Sequence, residues 1–108
     1  MIEVKYDRRH LTVTVTGHAK SDEPGKDLVC AAATILTYTL AGNAESLAED
    51  HSKFHHPKIT LEEGNASIRV RPIGSMRAVA AVILDAICAG YDILQKQYPQ
   101  YVLYEVQG

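Results

Sequence analysis

The chain has no tryptophan, and aromatic residues make up only 6% of it. An obvious stacking platform for nucleic-acid bases is therefore missing. Its two cysteines, Cys30 and Cys88, are too few and too far apart for a secreted disulfide framework or a four-ligand zinc site. Reduced thiols fit better, and a cytoplasmic location is expected. Neither sign of charge is in excess: 11 Lys and Arg stand against 13 Asp and Glu, a net −2. That balance argues against a chain whose main task is neutralising phosphates, so no direct nucleic-acid binding is expected. No stretch approaches the ~20 apolar residues of a membrane span. The start, Met1-Ile2-Glu3-Val4-Lys5, has no basic region leading into an apolar run, so neither a signal peptide nor a membrane partner is expected. Internal repeats and low-complexity segments are also absent.

What the sequence does have is enough apolar residue, 46% of 108, to build the core of one small domain spanning 1–108. Ile2, Val4 and Tyr6 alternate with polar neighbours, as do Leu11, Val13 and Val15; this is the period-two pattern of half-buried strands, joined by a turn at Asp7-Arg8-Arg9-His10. Residues 17–26 hold two glycines, Pro24 and acidic Asp22-Glu23, and read as a loop with few apolar anchors. From an N-cap at Asp27, Leu28, Val29, Ala32, Ile35, Leu36, Thr39 and Leu40 recur at helical spacing, with Gly42-Asn43 as a stop. Asn43 to Asp50 either extends that helix or forms a second, and Phe54-His55-His56-Pro57 breaks it. A hairpin follows, Ile59 and Leu61 against Ile68 and Val70, with Gly64 and Asn65 supplying positive φ. A second helix starts at Gly74-Ser75, carries an apolar stripe of Val79, Ala80, Ile83, Leu84, Ile87, Tyr91 and Leu94, and ends by Pro99. Val102, Tyr104 and Val106 then alternate as a C-terminal edge strand. The expected fold is α+β: a two-layer sandwich with two long helices on one face of a mostly antiparallel sheet.

The chemistry concentrates in one segment. His18, flanked by Gly17 and Ala19, closes a strand, and Cys30 opens a helix at position N3 counted from Asp27. A thiol attacks as thiolate, so it needs a base nearby and an electropositive setting such as a helix start. Thr34, one turn after Cys30, offers a supporting hydroxyl, and first-turn N–H groups, that of Cys30 included, are candidate oxyanion donors. Cys88 has no cap or adjacent histidine and reads as structural. His51, His55 and His56 are a weak metal set without a third convergent ligand, and more simply solvated loop residues; no metal or cofactor is expected. Arg69 and Arg71, near Arg77, read as outward-facing strand residues on a solvated surface.

Gly17-His18-Ala19, then Gly25-Lys26-Asp27, then Val29-Cys30-Ala31-Ala32, with Tyr98-Pro99 and Tyr101-Val102 near the C-terminus, resemble the ribosomal-processing cysteine proteases called Prp. The resemblance implies a cysteine endopeptidase that removes an N-terminal extension from a large-subunit ribosomal protein, cutting after an aromatic residue. It places the family's general base at His18 and its nucleophile at Cys30. It also implies a homodimer and a site loop that orders around substrate, in which Gly25 would be a hinge. The sequence departs from the family at Thr34, where serine is usual, and in the acidic, proline-containing Ser21-Asp22-Glu23-Pro24, which favours basic substrate residues. The alternative is a non-catalytic, ribosome-associated peptide-binding module.

Overall fold

Alternating apolar residues in the first sixteen positions form an antiparallel pair, β1 (Ile2–Asp7) and β2 (Thr12–Thr16), in which Val4 lies opposite Val15 and Tyr6 opposite Val13. The structure is a computed structural model and describes residues 1–17 and 26–108, the side chain of Lys26 excepted. Helix α1 (Lys26–Leu47) follows, then the hairpin β3 (Phe54–Glu62) and β4 (Asn65–Pro72), helix α2 (Met76–Gln97) and β5 (Val102–Gln107). The five strands make one sheet in the order β3-β4-β2-β1-β5, antiparallel except for the outer pair β1 and β5. Both helices lie on the face that carries Ile2, Val4, Tyr6, Val13, Ile68 and Val70, all buried. The expected two-layer α+β architecture is the observed one.

Helix α1 differs from expectation in three ways. It begins at Lys26, so Asp27 stands inside the first turn rather than at the cap. It runs through Gly42-Asn43 to Leu47; there Asn43 donates its side-chain amide to the carbonyl of Thr39 at 2.9 Å. Third, its buried line is Val29, Ala33, Thr37, Leu40 and Ala44, while Leu28, Ile35 and Thr39 face out. Apolar residues surround this helix, so periodicity alone does not choose its inner face; the small alanines at 33, 41 and 44 let it sit close to its neighbours.

The histidines also move from loop to strand. His55 and His56 lie on β3 beside Pro57, where the pairing with β4 shifts register between His55 and Lys58. An edge strand with a bulge accommodates a proline that lacks the N–H to donate. At the other end of β3 the connection is Glu63-Gly64, with Gly64 at φ 75°, and Asn65 already pairs with Glu62 as the first residue of β4. In the β1–β2 connection, Leu11 leaves the strand pattern: it takes φ 48° in the turn, stays buried, and its carbonyl accepts from Val70 N–H at 3.1 Å.

Helix α2 is long and apolar enough, by length and composition, to cross a membrane, which corrects the expectation that no segment is. Its inner line, Ala80, Leu84, Cys88, Tyr91 and Leu94, is buried against the sheet, as in a core helix. Asp85 ties it to β1, accepting from the Tyr6 hydroxyl at 2.8 Å and from the Arg8 guanidinium at 3.1 Å.

Candidate active site

One cleft of about 490 Å³ opens where α1 passes over the end of the sheet. From α1 it takes Cys30, Thr34, Thr37 and Tyr38; from the tip of the β3–β4 hairpin, Leu61 to Ala66; and from the sheet end, Ile2, Val15 and Gly17. The helical contribution follows from spacing, since positions 30, 34, 37 and 38 stack on one face. Cys30 is half-buried and free of any disulfide, with its side chain at the cleft wall. Thr34 and Tyr38 are exposed on the same wall. Thr37 is buried at the floor, donating to the carbonyl of Ala33 and sharing a 2.8 Å hydrogen bond with the Tyr91 hydroxyl of α2. This fixes the cleft floor to the second helix.

Two glycines shape the opposite wall. Gly17 takes φ 101°, and a Cβ there would run into the carbonyl oxygen of Met1. Its N–H donates to the carbonyl of Gly64 at 3.1 Å, so the end of β2 and the hairpin tip are held side by side. Both conformations lie in the region that side-chain-bearing residues avoid.

Of the residues singled out from sequence, the structure brings Gly17, Cys30 and Thr34 to this one cleft. Asp27 is exposed in the first turn of α1 and is not part of the cleft wall. His18 and Gly25 lie outside the described residues, as does the segment read as a lid. Because α1 starts at Lys26, Cys30 is its fifth residue rather than N3, and its own N–H is engaged by the carbonyl of Lys26 in the helical pattern. Cys88 is fully buried, and desolvation pushes its thiol up to about 12; it stays protonated and structural. His51 sits in the turn after α1, which ends too early to bring it onto one helical face with His55. Among the described residues no three His, Cys, Asp or Glu side chains converge as a metal site.

Sequence reasoning missed the hairpin tip, Tyr38 and Thr37. Tyr38 was within reach, eight residues beyond Cys30 on the same face. The hairpin tip was not, because its position depends on β4 pairing with β2 some fifty residues earlier in the chain, Thr16 opposite Asn65.

The fold and cleft describe an α+β protein that presents a helix-borne thiol to a groove at the end of its sheet. The chain belongs to the Prp family of cysteine proteases, whose family model, Cysteine protease Prp, matches residues 1–103. No curated protein matches it. Among solved structures, the essential ribosomal processing protease Prp from S. aureus, with a covalently linked product peptide, matches at TM-score 0.64 and 20% identity over 99% of this chain and 100% of that one. The S. aureus protease with a substrate peptide matches at TM-score 0.61 and 15% identity, over 98% and 97%. SMU.848 from Streptococcus mutans matches at TM-score 0.60 and 22% identity, over 98% and 91%. At such identities these likenesses speak for the fold.

Proposed function

We propose that the chain is a cytoplasmic cysteine endopeptidase that removes the N-terminal extension of a large-subunit ribosomal protein, with Cys30 as nucleophile and His18 as its base. The observation that supports this best is that Cys30 and Gly17, the residue joined directly to His18, line one cleft. In this reading His18 takes the thiol proton and Cys30 attacks the scissile carbonyl. The tetrahedral intermediate collapses as His18 returns the proton to the leaving amine, and water then hydrolyses the thioester through the same base.

The walls suit an extended peptide. Leu61 and Tyr38 offer apolar contact at the mouth, while Glu62, Glu63 and Asn65 ring the hairpin tip with polar groups. The substrate's main chain would run between α1 and the tip, with Thr34 beside the nucleophile. The family's homodimer is part of the same proposal, supported by the exposed apolar side chains of Val82 and Ile93 on the outer face of α2.

Incubation with the extended ribosomal protein, followed by mass spectrometry, tests the reading. Native protein should release the extension, and Cys30→Ala and His18→Ala should each cut roughly a thousandfold more slowly or worse. Cleavage that survives in Cys30→Ala would remove the mechanism. Binding of the extended protein without cleavage by the native chain would favour the peptide-binding alternative.

A further inference from the structure

The net charge of −2 is a sum over the chain, and the sheet distributes it unevenly. On the face turned away from the helices, Lys58 of β3 lies directly opposite Arg69 of β4, and Arg71 lies opposite His55. Lys58, Arg69 and His55 are exposed and Arg71 half-buried. Like charges placed directly across a strand pair weaken it. Among the described residues the ion pairs engage Arg8, His10, Lys53 and Lys96, and none neutralises Lys58, Arg69 or Arg71.

The carboxylates of this face lie elsewhere. Glu62 is four residues along β3 from Lys58, about 13 Å at strand rise and beyond the ~8 Å screening length of physiological salt. Glu3 and Glu105 belong to β1 and β5, across the sheet. Asp7 shares a row with Arg69 through Thr12 but is held by the His10 imidazole at 2.7 Å. Blunting of an exposed edge accounts for Lys58 on β3. It does not account for Arg69 and Arg71 on β4, an inner strand.

We propose that this corner of the sheet, Lys58, Arg69 and Arg71 with His55, binds the phosphate backbone of RNA. Arg69 and Arg71 stand about 7 Å apart along β4, with Lys58 about 5 Å across from Arg69; this is a spread array, suited to a repeating anion rather than a single ion. The Arg71 guanidinium donates to the carbonyl of His56 at 3.2 Å, which seats it against β3. Hydroxyls of Thr60 and Ser67 neighbour the cations in register and can hydrogen-bond phosphate or ribose oxygens. No exposed apolar side chain stands among them to enter a lipid surface, and no aromatic ring to stack on a base, so recognition is of backbone rather than sequence. The site is separate from the Cys30 cleft, and the proposal does not depend on the proteolytic reading.

Fluorescence anisotropy with a 20-nucleotide single-stranded RNA tests it. Three phosphate contacts predict a dissociation constant of about 10⁻⁴ to 10⁻⁶ M that weakens about 20-fold between 50 and 200 mM salt. Arg69→Ala/Arg71→Ala should bind more weakly and keep only about a threefold salt response, from the one contact left, while Arg69→Lys/Arg71→Lys should retain both affinity and salt slope. A urea midpoint for each variant close to the parent's makes the comparison one of binding. No binding at 50 mM salt, an alanine variant indistinguishable from the parent, or tighter binding to phosphatidylserine vesicles than to RNA would each overturn the proposal.

Discussion

At the scale of single residues, the site depends on groups that do no chemistry. Gly17 is required twice over, by its φ of 101° and by the approach of the Met1 carbonyl. Gly17→Ala should cost about 1–3 kcal/mol from backbone strain alone, measured as a lowered urea midpoint, and should impair cleavage because it displaces the residue joined to His18. Thr37→Val leaves the buried Tyr91 hydroxyl without its 2.8 Å partner; a loss of about 1–3 kcal/mol is expected, with part recovered in Thr37→Val/Tyr91→Phe. Full additivity of the two single changes would refute that coupling. The two thiols should also separate in a labelling experiment. Iodoacetamide should modify Cys30 in the native protein and reach Cys88, buried and pushed up to about 12, only after unfolding.

At the scale of elements, α2, β1 and β5 meet around a set of neutral acids. Tyr91 and Tyr104 stack with ring centres 6.1 Å apart, Cys88 lies on the same buried line of α2, and Tyr6 reaches Asp85. Desolvation is the largest cause raising all three tyrosines and Cys88 above their ordinary values. A group whose folded value is raised contributes stability in full below its unfolded value and loses it as pH climbs toward the folded one. The urea midpoint should therefore hold up to about pH 9, the ordinary thiol range, and fall steadily above it. A midpoint flat to pH 11 would contradict the burial of these groups. The same elements show what was legible in the sequence. Strict alternation at Ile2-Val4-Tyr6 and the Gly74-to-Pro99 bracket specified β1 and α2 closely, because each signal is local. The inner face of α1 was not legible: its apolar residues surround the helix, and the choice of Val29 and Ala33 over Leu28 and Ile35 is made by packing on the sheet. That Cys30 sits near a helix start was legible, and the structure puts it on the cleft wall, whereas the hairpin wall of that cleft arises only when β4 joins β2.

For the molecule as a whole, the exposed apolar surface is unequally placed. Apart from Leu103, the sheet's open face is polar and charged, while the outer faces of the helices expose Leu28, Ile35 and Tyr38 on α1 and Val79, Val82 and Ile93 on α2. Val82 is 67% exposed and Ile93 55%, eleven residues or three turns apart, so both project from one side of α2. A contiguous apolar face of that kind is the mark of an interaction surface. The proposed homodimer would cover it without any new chemistry, because a two-fold axis beside α2 would bring the stripe against itself. Val82→Asp/Ile93→Asp places carboxylates in the middle of such a contact, where burying an unpaired charge is prohibitive, yet on the free chain these positions face water and the fold should persist. Light scattering coupled to size exclusion should then give the parent twice the 11.9 kDa of one chain and the double variant a single chain. A parent that stays at one chain's mass at every concentration up to about 100 µM, well above the micromolar range of even weak specific contacts, would exclude the dimer. The Cys30 cleft lies at the sheet end under α1, so a monomeric variant that keeps its cleavage rate would further show that one chain holds the whole site.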